Sequence, residues 1–369
     1  MTAPLLFYIK VAKTIIFLYN IPIMTTKKHL RNFYLPYIKG CAILGIILIH
    51  LIDWSNLKLS ANWLLAKELL YPSVLFFIAT AGSVVYIAYN HYPPLKYTYR
   101  LVRRGLELIG IYFLVNIVKL FIFNFDSEPF YLQFKWANTL NLNGLWQLKS
   151  FTSPITILLT IGAFLIFSPL LLWIIQNVRW PKTTVLILIA ALFVGNYYLV
   201  YPASPLVNFL LAKNNITFPL ILWLLPFLIG LFLAMDGFEN HKLRYLLIFG
   251  ALTGATWLSQ GHIIKPYSAM YPLQPSYIFF SFFFMYCLIF FFTWLEKIRI
   301  PVMKLLLGII RFLGDHTLSI YVYHWLVIDL SIWLLFPAYK WIWLTVFVFL
   351  LAYLVAYRHK IADYWRGTY

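Results

Sequence analysis

Lys39 and His50 stand eleven residues apart inside one apolar run, YLPYIKGCAILGIILIHLIDW. At ~100° and ~1.5 Å per residue, that spacing is three helical turns plus ~20°, or ~16 Å along the axis. An amine and an imidazole therefore share one stripe of one helix. Ionisable groups within a membrane span are costly and by default mark a functional path, so this stripe is expected to face protein or water, not lipid. Asp53 follows His50 by three residues and can meet the ring from the same helix face. A carboxylate behind an imidazole holds one tautomer and raises its basicity, which suits taking a proton from a hydroxyl. The plainer reading makes His50 and Asp53 interfacial residues at a helix end.

A second constellation is Arg100, Arg103 and Arg104, at i, i+3 and i+4 in YRLVRRGLE. Three guanidinium groups on one face can clamp phosphates bidentately. Ordinary basic anchoring with snorkelling to lipid headgroups accounts easily for two of them, less easily for three. The third runs from Phe312 to Trp325, FLGDHTLSIYVYHW. Asp315 and His316 suit a helix start, where Asp caps free N–H groups. Ser319, Tyr321 and His324 are candidates for a polar pocket, although for His324 a hydrogen-bonding role between helices is the favoured reading.

The elements that carry these residues follow from composition. The chain is 63% hydrophobic, 20% aromatic and 11% charged, with a mean hydropathy of +0.82. Soluble domains carry about twice that charge fraction. Apolar runs of 18 residues or more recur, so the fold is expected to be all-α and polytopic, because open sheet cannot face hydrocarbon. About ten transmembrane helices are predicted, near 34–54, 69–90, 105–125, 152–176, 183–201, 217–235, 243–260, 276–294, 316–336 and 340–357. The breaks between them carry Asn, Pro, Asp and Gly.

With the N-terminus placed in the cytoplasm, twenty of the 29 Lys and Arg residues fall on the cytoplasmic side and seven outside, with Lys39 and Lys119 inside spans. That bias predicts an N-in, C-in topology. It also accounts for most of the +18 charge without nucleic acid. Residues 1–31 read as a cytoplasmic or interfacial segment, 32–360 as the transmembrane domain and 361–369 as a cytoplasmic tail. The first 23 residues are interfacial or precede a natural start at Met24, and they lack a cleavage signal. Cys41 and Cys287 have no metal-ligand spacing and read as packing residues. No phosphate-cradling glycine loop, zinc motif or Gly-x-Ser-x-Gly elbow is present, and no metal is expected.

Four stretches in order resemble the membrane acyltransferase superfamily, that is, the acyltransferase 3 family and heparan-α-glucosaminide N-acetyltransferase-like relatives. They are Lys39-x10-His50, Arg100-x-x-Arg103, Pro226-Phe227-x-x-Gly230, and Gly314-x-x-Thr317-Leu318-x-x-Tyr321-x-x-His324. The match covers roughly residues 31–360. Lysine stands where many members have arginine, the aspartate before it is absent, and the Trp-x-Leu-x-x-Glu segment survives only as Trp146-Gln147-Leu148.

The resemblance implies transfer of an acyl group, usually acetyl, from cytoplasmic acetyl-CoA to a hydroxyl of a cell-surface or lipid-linked glycan. Arg100, Arg103 and Arg104 would hold the coenzyme phosphates. Lys39 would line the pantetheine passage or steady the thioester oxygen, and His50 would be the general base or an acyl carrier. The expected partners are that saccharide acceptor and membrane lipids, and the expected location is a bacterial inner membrane. The competing reading is a glycolipid or polysaccharide transporter that uses the basic stripe without acyl-transfer chemistry.

Overall fold

A computed structural model describes residues 34–54, 67–122, 156–198, 219–238, 240–259, 270, 273–298, 300–322 and 324. Among these the chain is helical without strands. The elements are α1 (Leu35–Trp54), α2 (Pro72–Tyr89), α3 (Pro94–Ile122), α4 (Thr156–Asn177), α5 (Pro181–Tyr198), α6 (Leu220–Met235), α7 (Lys242–Ser259), α8 (Pro275–Leu295) and α9 (Pro301–Asp315). Helix resumes at 317–322 and at 324. Many of these helices begin on proline, whose fixed φ and missing N–H are tolerated in the first turn.

α2, α4 and α8 are each long and apolar enough to cross a membrane, and Leu35–His50, Pro181–Asn196 and Leu220–Met235 are shorter apolar helices. The first eight predicted spans each correspond to a helix. The third helix begins at Pro94, ahead of its predicted apolar stretch, and carries the arginines on one face as their spacing predicts. The last span and most of the ninth lie outside the described residues.

Two differences from the sequence reading concern the 295–316 stretch. It holds α9, whose exposed Val302, Leu305 and Ile309 recur at helical spacing while Leu307 is buried. Lys304 and Arg311 interrupt the run and hide this amphipathic helix from a search for unbroken apolar spans. Asp315 does not open a helix: it is the last residue of α9, and the chain turns at His316 before helix resumes. Thr317 Oγ1 donates to the Gly314 carbonyl (2.6 Å) across that turn.

The chain divides into two compact units. One contains α3 and α4 up to Leu171. Within it Gly105 and Gly162 face one another, and a Cβ on Gly105 would meet the Gly162 carbonyl and Ile166. Buried polar side chains in its apolar helices bond back one turn, as Asn116 does to the Tyr112 carbonyl and Thr160 to that of Thr156.

The other unit contains α1, α2, the end of α4, and α5 to α9 with the residues after them. Helix association in lipid relies on small residues that let backbones meet, and this unit is built that way. α2 and α6 cross where Gly82 faces the Phe227 carbonyl and Gly230 faces that of Ala79. Ser83 Oγ ties the crossing by donating to the Gly230 carbonyl (2.8 Å). The Pro226-Phe227-x-x-Gly230 motif is thus a packing device. α7 and α8 join through rings, with Phe249 on Phe282 (5.0 Å) and Tyr245 on Tyr286 (5.6 Å).

Asp236, just past α6, gathers the ends of three helices. Its carboxylate accepts from Lys182 Nζ (2.7 Å) and Tyr245 OH (2.5 Å) and from the Arg244 guanidinium. Burial pushes its pKa up, but the Lys182 and Tyr245 bonds and the two cations outweigh burial and hold it down at about 2. A depressed carboxyl contributes stability above its unfolded value of ~3.9 and loses it as pH falls through the folded value. Because Lys182 and Arg244 are half exposed, the contribution is about 1 kcal/mol. Asp236→Asn is therefore expected to lower the melting temperature in detergent at pH 7 by a few degrees. The gap to wild type should close between pH 4 and pH 2; a gap independent of pH would remove the ionic explanation.

Candidate active site

α1 is buried on most of its circumference, with Ile38, Ala42, Ile43, Ile46 and Ile49 all inside. Lys39 and His50 are half-buried, so their stripe meets protein, as two ionisable groups in an apolar span require. Both turn to the same part of the chain. Asp315, ending α9, is the carboxylate whose charge reaches Lys39. His324, nine residues on, stacks on His50 with ring centroids 5.8 Å apart and planes at 23°. One level where a carboxylate's field reaches the lysine and one imidazole level thus lie along α1.

Two glycines set this register. A Cβ on Gly40, next to Lys39, would run into the Ile310 carbonyl, and one on Gly314, next to Asp315, into the Pro36 carbonyl. Backbone-to-backbone contact at both places leaves α1 and α9 no freedom to slide. Tyr37, one turn before Cys41, secures the same end of α1: its hydroxyl donates to Glu296 (3.1 Å) and its ring stacks on Phe292 (5.0 Å).

His324 is completely buried. Its Nδ1 lies 2.5 Å from the Tyr321 carbonyl, which can only accept, so the proton of the neutral ring sits on Nδ1 and the lone pair on Nε2. Tyr321 meets this ring edge-on (5.1 Å) and rests against Phe77 of α2 (5.2 Å). Ser319 is half-buried on the same short helix. Asp53 lies in the last turn of α1, but its side chain is outside the described residues.

In the other unit, Arg100, Arg103 and Arg104 share one continuous helix, α3. Glu107 lies between the last two: Arg103 Nε donates to one carboxylate oxygen (3.1 Å) and Arg104 Nη1 to the other (3.0 Å). The cluster is therefore less cationic than three arginines alone, and two guanidinium planes are fixed by one carboxylate. Guanidinium groups held in fixed planes suit phosphate oxygens. Arg103 opens onto a trough along α3 lined by Thr98, Tyr99, Val102, Leu106 and Glu107.

Glu107 and Asp315 are the residues that sequence reasoning gave no site role. The signal for Glu107 was present, since an acid three and four residues after two arginines is placed to pair with both. No local signal points from Asp315 to Lys39. Among the described residues no group of three His, Cys, Asp or Glu side chains could hold a metal ion. Cys41 and Cys287 are free thiols.

Residues 32–358 match the family model described as an acyltransferase domain. No curated protein and no solved structure shows significant similarity.

Proposed function

Because the chain belongs to the acyltransferase 3 family and is a multi-pass membrane acyltransferase, we propose that it moves an acetyl group from acetyl-CoA to a hydroxyl of a lipid-linked or cell-surface glycan. The observation that carries this reading is the α1 stripe, with Lys39 at the Asp315 level and His50 at the His324 level. His50 takes the proton of the acceptor hydroxyl while that oxygen adds to the thioester carbonyl. When the C–S bond breaks, the imidazolium returns the proton to sulfur, and an ester and a free thiol leave. The ~16 Å rise between Lys39 and His50 is more than a lysine side chain can span. Lys39 therefore lines the path of the pantetheine arm and does not hold the reacting carbonyl. An extended pantetheine arm is of comparable length, so donor and acceptor can meet without either crossing the bilayer.

Arg100, Arg103 and Arg104 would hold the coenzyme phosphates, and the arrangement of about ten spans with both ends in the cytoplasm would place them at the inner face. A bacterial inner membrane is the location that fits this layout. Replacing Arg100 and Arg103 together by alanine is expected to weaken acyl-CoA binding in micelles by roughly 10- to 100-fold, the scale of losing a charge-assisted bond or two. Unchanged binding would return the cluster to membrane anchoring. The test of the function itself is incubation of purified protein with radiolabelled acetyl-CoA and membrane glycan, with label sought on glycan and on protein. Label on neither, with saccharide still bound, would favour the transporter reading.

A further inference from the structure

Beyond His50, the structure holds a second imidazole whose position the reaction does not yet use. We propose that His324 is a positioning residue for His50: its ring is the plate against which the His50 ring is held, and its face stabilises the imidazolium that His50 becomes. This inference rests on the reading of His50 as the base.

Three observations carry it. The ring centroids lie 5.8 Å apart with only 23° between their planes. The His324 ring cannot turn, because its Nδ1–H is tied to the Tyr321 carbonyl at 2.5 Å and the edge of Tyr321 closes on it at 5.1 Å. It is also completely buried, so its ordering costs little further on catalysis. A base that wanders loses the alignment that proton transfer needs, and the His324 face limits that motion of the half-buried His50. A cation over the face of a neutral ring is attractive, the more so where water is excluded. The tautomer of His324 keeps its own proton in the ring plane, pointed at the carbonyl, so nothing on its face repels the charge arriving on His50.

The role belongs to the aromatic face, which makes it separable from mere space-filling. His324→Phe keeps a flat ring, and His324→Leu fills comparable space without one. The leucine variant is expected to lower kcat by about ten-fold with the KM for acetyl-CoA unchanged, and the phenylalanine variant to recover most of the rate. His324→Asn, which keeps a donor for the Tyr321 carbonyl, replaces leucine should that variant not fold, with the same expected loss.

A readout independent of turnover is the rate at which diethyl pyrocarbonate modifies His50, followed by mass spectrometry of the peptide that contains it. Release of the ring should speed modification several-fold in the leucine variant and leave the phenylalanine variant like wild type. Equal modification rates in all three proteins, or equal kcat in leucine and phenylalanine variants, would overturn the positioning role. His50→Ala retaining full transfer would overturn the catalytic reading instead, and the modification rates would still decide whether His324 holds His50.

Discussion

Replacing His50 by alanine is expected to reduce acyl transfer by roughly 10²- to 10⁴-fold, the range a positioned general base contributes. The protein should still enter the membrane and purify as wild type does. Its half-buried ring is not what holds α1 in place. The backbone contact at Gly40, the close approach of the Ser73 side chain to Gly45 and the buried Ile38, Ile43 and Ile46 do that, and none is touched by the change. Transfer is read as labelled acetate on glycan, and folding as monodispersity and melting temperature in detergent. If the alanine protein acetylates at the wild-type rate, no account of the α1 stripe as a catalytic path survives. If it accumulates less protein in the membrane, in proportion to the lost activity, His50 is a structural residue.

A comparable loss is expected from a single methyl group that touches no reacting atom. Gly314→Ala places a Cβ on the Pro36 carbonyl, backbone against backbone, where no side chain can give way. Overpacking of this kind costs about 1–3 kcal/mol or more. α9 must move off α1, and both Asp315 and the His324 segment move with it. Gly308 lies on the same helix, and a Cβ there meets nothing within 4 Å. Gly308→Ala should be neutral or stabilising by up to ~1 kcal/mol, since alanine is the better helix former. The paired variants, compared by melting temperature and by transfer rate, isolate the close approach from helix propensity. Equal behaviour would mean that the Gly314 contact does not set the register of the two helices.

Much of this protein is legible without coordinates because it depends on short-range rules. The helical repeat alone places Lys39 and His50 on one stripe, and it places Arg100, Arg103 and Arg104 on another. Apolar length marks the first eight spans to within a few residues, except that α3 starts well ahead of its apolar stretch. There Pro94 opens a helix early, and the charges that lower the hydropathy of its first turns do not stop it from being helical. α9 escapes notice for a related reason: its apolar residues are spaced for one face of a helix, and a search for unbroken hydrophobicity passes over them.

What the amino-acid order determines by itself, then, is the helical membrane character, the chemistry available on α1 and the basic face of α3, all of which follow from composition and a 3.6-residue period. Tertiary structure alone decides that Lys39 comes within electrostatic reach of Asp315 and that His50 meets His324. Those pairs are more than 270 positions apart in the chain, and periodicity says which residues share a face but not which neighbour that face meets. The choice is made where backbones touch, at Gly40 on Ile310 and Gly314 on Pro36, and by the turn at His316 that re-aims the chain along α1. Close packing of this kind is a property of two surfaces together, so neither segment encodes it alone.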